Sequence, residues 1–378
     1  MLNFRRALVA AALFITVLFF ITWSTSPPSE TLAAEYAKAQ AEPDTTQPDL
    51  NAAVGGSDGT GVRGRPGPHG QHHQHPMQGK FLTLPLYDRL ARQYPYDVEA
   101  KFPAYIWQTW KWTPAHGEFN FREQEASWTE LHPGFVHEVV TDTVASQFVR
   151  MLYGPATPEI VEAYDALPLP VLKADFFRYL ILLARGGIYA DIDTSAIRSA
   201  LEWIPSSVPR DEVGLVIGIE ADPDRPDWQD WYSRRIQFCQ WTIQAKPGHP
   251  VLRDVVTRIT EHALRLKRAG SLAAINDGAV IEFTGPAPWT DAIFDYFNDP
   301  RFFDLSRSVG PIDWRNFTGM ETPRRVGDVI VLPITSFSPG VRQMGAKDTD
   351  DPMAFVQHNF EGSWKPQNER HIGKEDAS

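Results

Sequence analysis

Short apolar runs alternate with amphipathic stretches along most of the chain, which places the packed part at about residues 99–366. Runs rich in aromatic and β-branched residues have the length of strands, at 101–111, 135–141, 188–190 and 213–220. Between them, apolar residues recur at helical spacing, at 146–153, 158–164, 172–184, 250–267 and 288–297. This alternation predicts an α/β domain with a mostly parallel central sheet and helices on both faces.

The N-terminal segment has a different pattern. Residues 7–23 carry no charged side chain and follow two arginines, which predicts a transmembrane signal anchor with residues 1–6 as a cytosolic tail. A cleaved signal peptide is the alternative. The bulky Phe20 and Trp23, and the lack of a small-residue cleavage site directly behind the run, favour the anchor.

Residues 24–98 are predicted to be a flexible stem. Up to residue 80 they are mainly Pro, Gly, Ser, Thr, Gln and Ala, with few large apolar side chains to offset chain entropy. Apolar residues return at 81–94, which predicts a helix that leads into the domain. The polar residues 367–378 are predicted to form a C-terminal tail.

Charge and cysteine content exclude some functions and bonds. A formal net charge of −11 over 378 residues argues against nucleic acid or an anionic lipid surface as the main partner. Cys239 is the only cysteine in the sequence, so no intramolecular disulfide can form. The segment 231–243 around it has a mixed helical pattern, and a buried, inert thiol is expected there.

Candidate chemistry concentrates in residues 171–195. Asp191 and Asp193 follow a short apolar strand, and the two-residue period of a strand puts both carboxylates on one side, with Ile192 on the other. Two neighbouring carboxylates repel each other unless a cation lies between them, and a divalent cation with oxygen ligands is the usual solution. Asp175 and Arg178 are three residues apart on the preceding helix, so they share one face and can reach the same site.

The segment that holds these residues, D-x-x-R-x-x-x-L…G-G-I-Y-x-D-x-D, resembles the DXD region of sugar-nucleotide-dependent glycosyltransferases. More narrowly, residues 100–366 resemble glycosyltransferase family 32 and its fungal Golgi α-1,6-mannosyltransferases, which initiate outer-chain N-glycan elongation. The resemblance implies a GT-A type nucleotide-sugar-binding fold and retaining transfer of mannose from GDP-mannose to the N-glycan core of glycoproteins. It also implies a single-pass type II protein of the Golgi membrane with a lumenal catalytic domain, and a Golgi mannosyltransferase complex as a partner.

The resemblance assigns roles to the motif residues. His358 matches the late histidine of H-x-x-x-G-S-W and would hold the metal with Asp193, while Asp191 binds ribose or shares the metal. Oxygen and imidazole ligands favour Mn²⁺, with Mg²⁺ second. Asp175 would accept hydrogen bonds from sugar hydroxyls, and Arg178 would reach a hydroxyl or the phosphate.

Further substrate-binding candidates match other family motifs or follow strands: Gln108, Thr109, Glu220, Asp222, Gly285, Pro286 and Trp364. In I-x-Q-T-W, the polar pair would lie near the base and ribose, and in T-G-P the amides of a helix start would face phosphate or acceptor hydroxyls. Glu220 and Asp222 would approach the sugar from a strand end, and they are the candidate nucleophiles of a double displacement. The alternative is a same-face reaction in which the leaving diphosphate takes the acceptor proton.

Other functions stay open at the level of sequence. Within the family, the alternatives are a sphingolipid mannosyltransferase and a UDP-sugar-dependent transferase, and only the resemblance favours GDP-mannose. No second apolar run of spanning length follows, which argues against the sphingolipid enzymes. Ser195 stands where a phosphatase of the haloacid-dehalogenase type carries Thr or Val. A non-catalytic sugar-binding protein is disfavoured because every motif acid is present.

Overall fold

A computed structural model describes residues 83–223, 225–304 and 310–362. These residues lie in the second of two compact units, which begins at His72. Residues 1–82 lie outside the described residues, and with them the predicted cytosolic tail, the signal anchor and most of the stem. Trp364 and the C-terminal tail also lie outside them. Within the described ranges, no helix has both the length and the apolar character that crossing a bilayer requires.

The elements follow the predicted alternation. The α-helices of the described ranges are α1 (Leu86–Gln93), α2 (Arg122–Leu131), α3 (Asp142–Tyr153), α4 (Pro158–Ala166), α5 (Pro170–Arg185), α6 (Pro250–Arg268), α7 (Val280–Phe283), α8 (Pro286–Phe297) and α9 (Ile334–Phe337). The strands are β1 (Tyr105–Thr109), β2 (Val136–Val140), β3 (Gly187–Ala190), β4 (Thr194–Ala196), β5 (Leu215–Ala221), β6 (Gln237–Phe238), β7 (Thr242–Ala245), β8 (Arg324–Val326), β9 (Val329–Leu332) and β10 (Val356–His358).

The central sheet has the order β2-β1-β3-β7-β5-β9-β8, with β6 paired to β5. Strand β1 is parallel to β2 and β3, and β5 is parallel to β9. Strand β7 is antiparallel to both β3 and β5, so those two strands run in the same direction. Five strands therefore point one way, which confirms a mostly parallel sheet, and β3 and β5 deliver their last residues to the same edge.

Side chains of the sheet alternate between two buried faces. Ile188 and Ala190 pack in one core cluster with Trp203 and Phe337, while Tyr189, between them in sequence, packs in the other cluster with the helices α5 and α6. Burial on both faces explains why these strands are continuous apolar runs. Helix α5 is buried on all sides over residues 175–183, where its apolar side chains pack in the larger cluster.

The turn from α5 into β3 requires glycine. Gly186 has a φ of 65° and Gly187 a φ of 96°, backbone angles that residues with a Cβ rarely adopt. A Cβ at Gly186 would also lie 2.8 Å from the carbonyl oxygen of Ala245 on β7. The glycine pair therefore ends the helix and allows β3 to enter the sheet at once.

Two features differ from the sequence expectations. Leu86 and Leu90 of α1 are buried in the larger cluster, so this helix packs as part of the domain. The sequence pattern predicts that the domain begins only at residue 99. The predicted helical pattern over 231–243 is wrong, because this segment contains β6 and the start of β7. Cys239 is buried, as expected.

Candidate functional site

The two acids of the DxD triplet lie in a turn between β3 and β4. Strand β3 ends at Ala190, and the backbone N–H of Asp191 donates to the carbonyl oxygen of Trp241 at 2.8 Å. The N–H and hydroxyl of Thr194 both donate to the Asp191 carbonyl oxygen, at 3.1 and 2.6 Å. The turn, and not the pleat of a continuing strand, therefore brings the carboxylates of Asp191 and Asp193 together.

A distant strand adds a histidine to this pair. Strand β10 pairs antiparallel with β4, so that His358 lies opposite Thr194. The His358 Nε2 is 3.3 Å from Asp193 Oδ1. Asp191, Asp193 and His358 each offer one ligand atom, and these atoms all lie within 4.8 Å of one another. The three residues that the sequence predicts as metal ligands are thus assembled at one point.

The environment of these groups fits a divalent cation. Burial opposes ionisation of Asp193, but His358 and the N–H of Glu361, 3.1 Å from Asp193 Oδ2, lower its pKa below the usual value. Burial raises the pKa of Asp191, and Arg178 opposes this shift. The His358 Nδ1 is buried without a hydrogen-bond partner among the described residues. Two carboxylates and an imidazole form a donor set that suits Mn²⁺, Mg²⁺ or a related divalent ion.

Arg178 connects the helix to the triplet. Its Nη2 lies 2.8 Å from Asp175 Oδ1 and 3.2 Å from Asp191 Oδ1, and its side chain is 5% exposed. Burial disfavours the charged guanidinium, but the negative charges of the two acids raise its pKa above the usual value. Its Nε and Nη1 are buried without hydrogen-bond partners among the described residues, so Arg178 retains donors for a ligand.

Asp175 is bound by the protein itself. Burial raises its pKa to about 6, against the opposing charge of Arg178. The Thr284 hydroxyl donates to Asp175 Oδ2 at 2.9 Å, and the Gln240 amide donates to Oδ1 at 3.4 Å. These contacts make Asp175 an anchor for Arg178 and differ from the expected exposure of its carboxylate to sugar hydroxyls.

Gln108 and Thr109 support the triplet from the neighbouring strand. Gln108 is fully buried, and its amide donates to the Asp191 carbonyl oxygen at 3.2 Å. The Thr109 hydroxyl is hydrogen-bonded to the Tyr189 hydroxyl at 3.0 Å, and Tyr189 donates to Asp191 Oδ1 at 3.0 Å. Sequence reasoning missed Tyr189, although it precedes Asp191 by two residues in the G-G-I-Y motif. The structure uses Gln108 and Thr109 to position Asp191.

The two acids at the end of β5 differ. Burial raises the pKa of Glu220 to about 7, although Gln237, His358 and Arg178 all favour its ionised form. Its Oε2 is buried without a hydrogen-bond partner among the described residues, so Glu220 retains an atom for a ligand.

The carboxylate of Asp222, in contrast, is occupied by the chain. It pairs with Arg235 at 2.9 Å and accepts hydrogen bonds from the Thr318 hydroxyl at 2.9 Å and the Gly319 N–H at 2.7 Å. This differs from the expected approach of Asp222 to the sugar, and it leaves no role as a nucleophile for a carboxylate that fixes a loop.

The T-G-P motif also has a structural role. The Gly285 N–H donates to the Val280 carbonyl oxygen at 3.0 Å, and Pro286, the first residue of α8, has no N–H. The Gly285 N–H is thus bound within the chain, which differs from its expected presentation to phosphate or acceptor hydroxyls. A Cβ at Gly285 would lie 2.7 Å from Ile281 Cα, which explains the glycine. The contribution of the motif to the site is the Thr284 hydroxyl on Asp175, another contact that sequence reasoning missed.

Comparisons with known proteins identify the family of this chain. Residues 119–209 match the family described as "Glycosyltransferase sugar-binding region containing DXD motif". The chain is similar to the initiation-specific alpha-1,6-mannosyltransferase of Candida albicans, with 47% identity over 76% of this chain and 79% of the relative. It is also similar to the initiation-specific alpha-1,6-mannosyltransferase of Schizosaccharomyces pombe, with 48% identity over 72% of this chain and 66% of the relative.

Among solved structures, the PaToxG glycosyltransferase aligns with 58% of this chain and 78% of its own at 15% identity and a TM-score of 0.35, which is too low to add to the assignment. The sequence identity to the fungal relatives extends over most of both chains, and it is sufficient to assign the family. The chain belongs to the family of DXD-containing glycosyltransferases that includes the fungal initiation-specific alpha-1,6-mannosyltransferases.

Proposed function

We propose that this chain is a metal-dependent, retaining α-1,6-mannosyltransferase of GT-A type that transfers mannose from GDP-mannose to the N-glycan core of glycoproteins. The observation that carries the proposal is the group of Asp191, Asp193 and His358 at the carboxyl edge of the sheet. Open α/β sheets bind their ligands at this edge. The names of the fungal relatives support the choice of donor sugar, acceptor and linkage.

Asp191, Asp193 and His358 would hold the divalent cation, for which Mn²⁺ is the first choice and Mg²⁺ the second. When bound, such a cation supplies Lewis-acid stabilisation of the leaving diphosphate. The Nε and Nη1 of Arg178, which have no partner in the part of the chain that the structure describes, would donate to the diphosphate or to a hydroxyl of the donor sugar. Because Asp175 and Asp191 fix the guanidinium, this interaction needs little rearrangement during the reaction.

Glu220 would bind a hydroxyl group of the transferred sugar. Its Oε2, which has no partner within the described ranges, provides the contact, and a pKa of about 7 keeps much of the carboxyl protonated near neutral pH. A protonated carboxyl donates a hydrogen bond but is a poor nucleophile. These properties favour the same-face reaction, in which the leaving diphosphate takes the acceptor proton, over a double displacement through Glu220.

The proposed location follows from the sequence pattern of the N-terminal segment. Residues 1–6 would lie in the cytosol, residues 7–23 would anchor the chain in the Golgi membrane and residues 24–98 would form the stem. The catalytic domain at residues 99–366 would then face the lumen, where a glycoprotein acceptor and a Golgi mannosyltransferase complex are available as partners. Asn316-Phe317-Thr318 is a glycosylation sequon that fits a lumenal domain, and Asn316 is exposed.

The donor and the metal can be tested together. The purified full-length protein is given GDP-mannose, UDP-glucose or UDP-galactose separately, first with Mn²⁺ and then with a chelator. We expect transfer only from GDP-mannose to an N-glycan core, and loss of this transfer with the chelator. Turnover of a UDP-sugar alone would contradict the mannosyl assignment. Transfer to inositol phosphoceramide in place of the glycan would support the sphingolipid alternative.

The raised pKa of Glu220 predicts a specific dependence of stability on pH. Between about pH 4.5 and 7 the unfolded chain loses the Glu220 proton while the folded protein keeps it, so the free energy of unfolding falls as pH rises. Glu220→Gln removes this titration. We therefore expect the free energy of unfolding of the variant to fall less with rising pH, by up to a few kcal/mol. Urea unfolding of the metal-free protein at a series of pH values measures this difference. An unchanged pH dependence would show that Glu220 titrates normally.

A further inference from the structure

A cavity of about 410 Å³ lies outside the metal site and is not used by the proposed reaction. It is lined by Pro223, Arg225, Asp227, Tyr232, Gln343 and Met344. One wall is the segment that follows β5, and the other follows β9 and α9. Because β5 and β9 are parallel neighbours, both segments leave the sheet at the edge where β3 delivers the DxD triplet. The first wall begins only three residues after Glu220.

Contacts within the chain hold residues on both sides of this cavity. Asp222, next to Pro223, is tied to Arg235 and to the Thr318 and Gly319 segment. The Asp222 N–H also contacts Met344 Sδ at 3.3 Å, which joins the two walls. Met344 itself has a φ of 54°, a strained angle for a residue with a side chain. A pre-formed cavity costs less conformational entropy on binding than a mobile one.

The rim of the cavity carries an exposed aromatic ring. Trp231 is 65% exposed and is adjacent in sequence to Tyr232, which lines the cavity. The Arg225 guanidinium lies 4.7 Å from the centroid of the Trp231 ring and holds the indole in place. A large aromatic ring that is held in place but left open to solvent on a rim offers an apolar face to a partner.

The charges of the cavity favour a neutral ligand. Arg225 forms two hydrogen bonds with Asp227, from Nε to Oδ1 at 2.6 Å and from Nη2 to Oδ2 at 2.7 Å. The paired charges leave no excess positive charge for a phosphate, which argues against a second nucleotide site. The guanidinium of Arg225, the carboxylate of Asp227 and the amide of Gln343 can still form hydrogen bonds with hydroxyl groups. An aromatic face beside such groups matches a sugar ring, which has an apolar C–H face and a hydroxyl rim.

We propose that this cavity binds the acceptor oligosaccharide, at mannose units beyond the one that receives the new sugar. The proposal rests on the proposed mannosyltransferase function and names the part of the chain that recognises its acceptor. Trp231 stacks on one sugar ring, and Arg225, Asp227 and Gln343 bind its hydroxyls. The glycan then extends along the carboxyl edge of the sheet toward the DxD triplet.

The test compares Trp231→Ala with Leu201→Ala in the full-length protein. Leu201 is also exposed, at 56%, and lines a second cavity of about 500 Å³, so it controls for loss of an apolar side chain from a cavity surface. Binding of a released high-mannose oligosaccharide is measured without any donor. Transfer is measured with the same oligosaccharide and with methyl α-mannoside, which is too small to span both sites.

We expect Trp231→Ala to weaken oligosaccharide binding and raise its KM by about tenfold or more, as for removal of an aromatic anchor. Donor hydrolysis and transfer to methyl α-mannoside stay unchanged, and Leu201→Ala behaves as the wild type. Wild-type affinity of Trp231→Ala for the oligosaccharide overturns the inference. An effect seen with an intact glycoprotein but not with its released glycan also overturns it, because the cavity would then recognise polypeptide.

The proposed function can fail independently of this inference. If the wild type binds the oligosaccharide, loses this binding in Trp231→Ala and does not turn over GDP-mannose, the cavity is a glycan site and the donor assignment is wrong. If the wild type transfers mannose to methyl α-mannoside but does not bind the oligosaccharide, the function stands and the cavity proposal is wrong.

Discussion

Replacing Asp193 by alanine is expected to reduce mannosyl transfer by about a hundredfold or more while the protein remains folded. The variant loses one of the three candidate ligands and the acceptor of the hydrogen bond from the Glu361 N–H. Asp193 lies in a turn and is not part of a core cluster, so its removal leaves the packing of the sheet intact. Turnover of GDP-mannose is measured over a series of Mn²⁺ concentrations, together with Mn²⁺ binding by calorimetry.

Asp165→Ala is the control for this substitution. Asp165 lies on α4, and its side chain is 42% exposed. Its carboxylate pairs with Arg150 on α3 at 3.0 Å. We expect this variant to bind Mn²⁺ and turn over the donor as the wild type does. Near-wild-type activity of Asp193→Ala would overturn the metal assignment. Loss of activity in both variants would point to a general effect of removing acids.

Replacing Arg178 by alanine is expected to lower the free energy of unfolding by about 3–5 kcal/mol and to abolish transfer, because breaking a buried ion pair leaves its partners unpaired. Arg178 is 5% exposed and serves both Asp175, which is buried, and Asp191. Urea unfolding measures the stability, and donor hydrolysis at a temperature where the variant is folded measures activity.

Two further variants separate charge from geometry in this prediction. Arg150→Ala removes a guanidinium whose ion pair is exposed, and we expect it to cost at most about 1 kcal/mol. Arg178→Lys keeps the charge but loses the planar fork, so it should recover part of the stability and little of the activity. If Arg178→Ala is as stable as Arg150→Ala, burial of Asp175 and Asp191 does not require the charge of Arg178, and the prediction is wrong.

Local pattern predicts the centre of the fold. The apolar run at 172–184 predicts a helix, and α5 spans Pro170–Arg185. The glycines that follow are predicted to stop it, and both have positive φ. These features are readable because they depend on residues near one another in sequence: helical periodicity, the freedom of glycine and the short apolar strand that follows.

Other elements depend on pairing between distant segments, so the sequence pattern does not predict them. Strand β7 alternates polar and apolar residues, but it has only four residues, and the segment before it shows a helical pattern in the sequence. All four residues are buried because β7 lies between β3 and β5. Only this position in the sheet explains why polar residues are tolerated there, and only the sheet shows that β3 and β5 end at a common edge.

The α/β class and the helix–glycine–strand unit are predictable from the order of residues along the chain, because both depend on local patterns. The three candidate metal ligands are predictable because each lies in a short motif that resembles a known family. The tertiary structure decided which polar side chains remain available to a ligand. Asp222 and Asp175 are bound by other parts of the chain, whereas Glu220 and Arg178 keep atoms that have no partner among the described residues. Hydrogen-bond partners come from segments far apart in sequence, so no local pattern can show which donors and acceptors folding has already satisfied.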